Sequence, residues 1–234
     1  NQSSSDASLD IVLLTLAELH LKQYYQPAKS PESELSLSLS PGDLLMVARK
    51  HIDTLLLDYP VSTYRSRGYY ALGWCLWELG EYPLSLDAFT QAAVGLEKSM
   101  EHAECLFKQA DVQLKLGQAD SALTLYKTLL TEYQNYDDVR VQLFEQALYQ
   151  MLRAAIDAEV LEDAEWAAQR IIHSYPNGPL SQRSRLLLGQ RLIHLDQISE
   201  ARDRFLKLIE QFGEFTLRAE VDLALAHTYE REGA

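Results

Sequence analysis

The sequence is short of several residue types, and each shortage removes a class of protein. Two cysteines among 234 residues, Cys75 and Cys105, are too few for a disulfide framework or a four-ligand zinc site. Basic residues number 21 against 34 acidic ones, a net charge of −13, and no block of lysine or arginine interrupts that balance. A phosphate backbone would be repelled by such a field, so no nucleic-acid partner is expected. No apolar run approaches the roughly 18 residues of a membrane span, and the longest, Ile11–Ala17, is already broken by Thr15. The chain is therefore not expected to span a bilayer. Motifs that carry chemistry are missing too: there is no glycine-rich phosphate loop, HExxH, GxSxG or CxxC. His194 and His227 fall in helices expected to be neighbours, but two neutral imidazoles alone hold a metal weakly. We expect no catalysis, no cofactor and no metal.

What is present is a repeat. Tyr69–Tyr82 runs large residue, Leu72-Gly73, large residue, Leu79-Gly80-Glu81-Tyr82, and is followed by Ser85, Leu86, Ala88 and Phe89. The Leu-Gly turn returns at Leu116-Gly117 with Ala122 and Tyr126 behind it. A third copy carries Leu152, Ala155, Ala164, Ala168 and Tyr175-Pro176, and a fourth carries Leu188-Gly189, Ala201 and Phe205. Gly80 to Gly117 is 37 residues, Ala122 to Ala164 is 42, and Ala164 to Ala201 is 37. Each is longer than the ~34 residues of a paired-helix repeat, and the excess of the longest is expected in the connection around Gln134–Val139. Small residues (Gly73, Ala110, Gly189, with Ala122, Ala164 and Ala201) mark where two helices of a hairpin cross. Gly80 and Gly117 fit helix ends that need a left-handed residue. Pro60 and Pro176 stop second helices, and Pro83 and Pro179 suit first turns. Together these features closely resemble the tetratricopeptide repeat superfamily over about residues 41–234.

That resemblance implies an all-α fold, a right-handed α-α superhelix of stacked hairpins. The expected organisation is a degenerate N-terminal repeat over 1–60, then an array over 61–234. Its repeats lie near 65–98, 102–134, 144–176 and 181–213, with a half repeat at 218–234. Leu9–Tyr25 reads as the first helix of the degenerate repeat. The Ser/Pro-rich stretch Gln26–Ser40, with Leu35, Leu37 and Leu39 alternating with serine, reads as a mobile loop. Ser40 then caps a helix that has Asp43 near its positive end. The unpaired last helix leads us to expect further repeats or a capping helix beyond Ala234. The pattern Leu-x-x-Tyr-Pro-x-Ser-x-Tyr at Leu56–Tyr64, with the Tyr175-Pro176-Asn177-Gly178 turn, resembles bacterial envelope members. These are the Tol–Pal-associated periplasmic coordinator and the outer-membrane barrel-assembly lipoprotein. A periplasmic or envelope location is the expectation this carries.

In such arrays the first helices line a concave groove that holds a peptide or a partner helix. By register with Leu72, Gln109, Met151 and Leu188, the groove positions are Tyr70 and Trp74, then Phe107, Lys108 and Asp111, then Tyr149, Gln150 and Arg153, then Gln190. One turn further along lie Glu78, Lys115, Asp157 and His194. The aromatics would supply apolar contact while Lys108, Gln150, Arg153 and Gln190 orient a ligand backbone. Trp74 and Phe107 fit a second role equally, packing between neighbouring helices. The function expected is a protein-binding scaffold, with self-assembly into a homo-oligomer as the alternative. Cys75 and Cys105 are offset by about seven residues on neighbouring helices, about 10 Å along the axis. That is too far for a disulfide, and both are expected to be reduced and buried.

Overall fold

The computed structural model describes residues 9–26 and 39–233, and every regular element among them is an α-helix. Two compact units result, one ending at Gly117 and one beginning at Gln118. The first holds α1 (Leu9–Tyr25), α2 (Pro41–Asp58), α3 (Arg65–Glu78), α4 (Tyr82–Gly95) and α5 (Met100–Lys115). The second holds α6 (Ala119–Glu132), α7 (Asp137–Asp157), α8 (Leu161–Ser174), α9 (Pro179–His194), α10 (Ile198–Phe212) and α11 (Arg218–Arg231). Within each unit successive helices pack on one another, and first helices also touch, α1 on α3, α7 on α9 and α9 on α11. This is the hairpin stacking that the repeat implies. The boundary between the units falls in the Gly117 turn, inside the second expected hairpin. The expected loop lies, from 27 to 38, outside the described residues. No helix among the described residues is long and apolar enough to cross a membrane.

Local chemistry sets the helix ends. Ser40 Oγ accepts from the Asp43 N–H at 3.2 Å, and the Asp43 carboxylate accepts from the Ser40 N–H at 3.2 Å. That reciprocal pair satisfies two donors which a bare helix start leaves unmade. At the ends of α3 and α5, Gly80 and Gly117 take φ of 75°. At the equivalent places after α7 and α9 stand Glu159 and Asp196, both at φ 61°. A left-handed conformation there lets the next N–H reach back over the turn, Glu81 to the Leu76 carbonyl, Val160 to Ala155 and Gln197 to Leu192, at 2.8–2.9 Å.

The hairpin crossings are tight for a visible reason. A Cβ on Gly73 would stand 2.7 Å from the Phe89 ring, and one on Gly189 would stand 2.4 Å from the Phe205 ring. Both rings are fully buried. In the intervening hairpin of the second unit the aligned residues are Leu152 and Ala168, also fully buried. There the bulk sits on the first helix and the small residue on the second.

One expectation is corrected. The extra residues of the long repeat do not lengthen its connection, because they are helical. α7 has 21 residues where α3 has 14 and α5 and α9 have 16. Asp137 and Asp138 sit in its first turn, where the helix dipole favours acids, and Val139 is fully buried. Five extra residues extend the helix by about 7.5 Å.

Candidate functional site

Most of the first-helix residues singled out in the N-terminal unit are engaged by side chains of that same unit. The Tyr70 hydroxyl donates to the Glu104 carboxylate. Burial pushes the Glu104 carboxyl above its usual range, against that bond, which favours the charged form. Trp74 packs edge-on against Tyr25, Tyr70 and Phe89, with ring centroids 5.9–6.4 Å apart. Glu78 accepts from the hydroxyls of Tyr24 at 3.0 Å and Tyr25 at 2.9 Å, so the end of α1 covers it. Phe107 is only 3% exposed, which places it in the packing rather than on an open face. Asp111 is 6% exposed and pairs with Lys108 at 3.2 Å.

Lys108 is held by more than that carboxylate. Its Nζ stands 4.1 Å from the centre of the Trp77 ring, 4.8 Å from Trp74 and 5.5 Å from Phe107. Lys115 Nζ approaches the same Trp77 ring at 5.2 Å and the Tyr82 ring at 5.0 Å. A desolvated ammonium over an aromatic face gains up to about 2 kcal/mol. The arrangement is a cation box filled by the protein's own lysine. Trp77, which the register argument passed over, is its central wall.

The second unit is different. On α7, Tyr149 and Gln150 are half-buried while Arg153 and Asp157 are exposed, and Arg153 Nη1 donates to Gln150 Oε1 at 2.9 Å. On α9, Gln190 and His194 are exposed. With Leu223 and His227 of α11 they line a cleft of about 610 Å³, within the ~300–1,000 Å³ of ordinary ligand clefts. The cleft brings His194 and His227 onto one surface, although no group of three or more metal-ligating side chains exists among the described residues. Both cysteines are free and buried. Burial pushes the Cys75 thiol up to about 12 and raises that of Cys105 as well, so neither is a nucleophile near neutrality.

Comparison with known proteins agrees with this geometry. Residues 104–136 match the family model described as tetratricopeptide repeat. This is a tetratricopeptide-repeat fold. A tetratricopeptide repeat protein from Parabacteroides merdae superposes with a TM-score of 0.64 at 19% identity, over 94% of this chain and 74% of that one. MamA from Desulfovibrio magneticus RS-1 gives 0.59 at 18% identity, over 87% of this chain and 94% of its own. YrrB, described as having an unusual peptide-binding site, gives 0.60 at 16% identity, over 76% and 83%. No curated protein matches the chain by sequence. The tetratricopeptide fold is in general a protein-interaction scaffold.

Proposed function

We propose that this chain is a non-enzymatic adaptor whose C-terminal unit holds a peptide or partner segment against the first-helix face of α7 and α9, within a bacterial envelope complex. The observation that carries the reading is the contrast between the units. In the N-terminal unit the corresponding side chains other than the exposed Lys115 are held against neighbouring side chains of the same unit, whereas Arg153, Asp157, Gln190 and His194 reach solvent beside a half-buried Tyr149. Tyrosine and arginine are the side chains whose truncation most often costs an interface about 2 kcal/mol or more. The envelope setting is supported by the Leu56–Tyr64 pattern and the Tyr175–Gly178 turn. The test is capture of partners from an envelope fraction by tagged wild type and by a Tyr149→Ala, Arg153→Ala variant. Recovery of the specific partner should fall at least about tenfold, and equal recovery would overturn the proposal.

One observation favours self-assembly as a second reading. Leu9, Val12, Leu16 and Leu19 of α1 are 36–49% exposed on the side of the helix away from its buried Leu14, Ala17 and Leu21. The spacing is that of a coiled-coil seam. Under this reading Leu16→Glu with Leu19→Glu converts an oligomer to a monomer in sedimentation equilibrium, and a wild-type chain that is already monomeric removes it.

A further inference from the structure

On the other side of α7 lies a second surface that the reading above does not use. A groove of about 960 Å³ runs between α6 and α8 over α7, near the upper end of the volumes that hold ligands. Its floor is apolar: Leu130, Leu148 and Met151 are 8%, 2% and 2% exposed. One wall is Trp166, 50% exposed, and the far end is Val141, 81% exposed. Such an indole facing water is not a feature of the repeat. Stepping by the repeat spacings of 37, 42 and 37 residues, the positions aligned with Trp166 are Asp87, Thr124 and Asp203, all exposed. Three of the hairpins thus place a small polar or acidic side chain where this one places its largest apolar residue. The lengthening of α7 contributes independently, since Arg140 and Val141 both lie in its extra first turns.

The charge at the groove is also the reverse of the chain's. Its lining carries Lys127, Arg140 and Arg170 against a single acid, Asp163, on a protein with a net charge of −13. Asp163 is paired with Lys127, and Arg140 is 2.8 Å from Asp137 at the helix start. Arg170 is exposed at the rim. A basic rim on an acidic protein favours negative charge, because an acidic ligand is attracted here and repelled by the net charge of the chain. The apolar floor requires in addition a side chain that leaves water.

We propose that this groove docks an acidic peptide segment of another protein, with a large apolar side chain against Trp166 and its carboxylates on Arg170 and Arg140. The site is separate from the first-helix face. Selection of a random peptide display library on the wild-type chain tests it. Peptides that combine Asp or Glu with Trp, Phe or Leu should be enriched. A synthetic peptide of the selected sequence should lose at least about tenfold in affinity on Trp166→Ala and on Arg170→Glu, and should weaken as salt is raised. Arg153→Ala, on the opposite face of α7, should bind it as wild type does, which separates failure here from failure of the first-helix reading. No enrichment, enrichment of peptides without acids, or equal binding by Trp166→Ala and Arg170→Glu would overturn the proposal. So would a concentration-dependent self-association abolished by Trp166→Ala, since the occupant would then be a second copy of the chain.

Discussion

Replacing Gly189 with alanine sets two effects of known size against each other. In an exposed helix interior the change stabilises by about 0.8–1 kcal/mol, because alanine has the higher helix propensity. Here the new methyl would stand 2.4 Å from Phe205 Cε1 and 2.6 Å from Cζ. Phe205 is fully buried in the cluster with Leu192, Ala201 and Leu208, so the ring has no space into which to rotate. Forcing an extra carbon into such packing costs about 1–3 kcal/mol, which opposes the gain from helix preference. Steric conflict should win, leaving Gly189→Ala less stable by about 1 kcal/mol in urea unfolding followed by circular dichroism. The same substitution in a Phe205→Leu background should be nearly neutral, with a coupling energy of about 1–2 kcal/mol from the double-mutant cycle. The hairpin carrying Leu152 and Ala168 shows that the fold accepts bulk from either helix, provided only one supplies it. A Gly189→Ala protein that melts higher than wild type, or additive effects in the cycle, would refute the account of how these hairpins close.

Three further outcomes follow from local features. Glu159→Gly and Asp196→Gly should each raise the melting temperature, because a left-handed non-glycine residue costs about 1–2 kcal/mol. Glu159 should gain more, since aspartate tolerates that conformation better than glutamate. His51 stacks on His20 at 5.6 Å, and burial, then His20 and Lys50, hold its imidazole below the usual value. The unfolded chain therefore takes up this proton first, and the contribution is present above about pH 6.5 and lost as the pH falls further. His51→Gln should thus lose less stability than wild type between about pH 7.5 and pH 5.5, and an identical loss would discard the explanation. An aromatic disulfide reagent should leave Cys75 and Cys105 untouched in the native protein and titrate both in denaturant, whereas rapid native labelling would contradict their raised thiol values.

Much of the fold was legible because it depends on local chemistry. The Ser40–Asp43 cap, the left-handed Gly80 and Gly117 and the prolines that start α4 and α9 each act over a few residues. The length of α7 was not legible, because residues 134–139 hold no proline or glycine to separate a longer connection from a longer helix. Register also placed Tyr70, Trp74 and Lys108 on first helices correctly but could not show what lay opposite them. Their partners are Glu104, Tyr25 and Trp77, which lie 34, 49 and 31 residues away in the sequence, and those pairings depend on side-chain reach between helices, which periodicity does not encode. Trp166 left a signal that the template ignored, since the departure from Asp87, Thr124 and Asp203 is visible once the repeats are aligned.

The central claim is that the first-helix face of the second unit holds a partner, and site-specific photo-crosslinking addresses it most directly. A photoreactive amino acid at position 153 or 190, expressed in cells, should give a discrete adduct with the same partner from both sites. The same probe at exposed Thr124, on the second helix α6, should give none of it. Adducts with that partner from Thr124 at equal yield, or none from 153 and 190, would contradict the account.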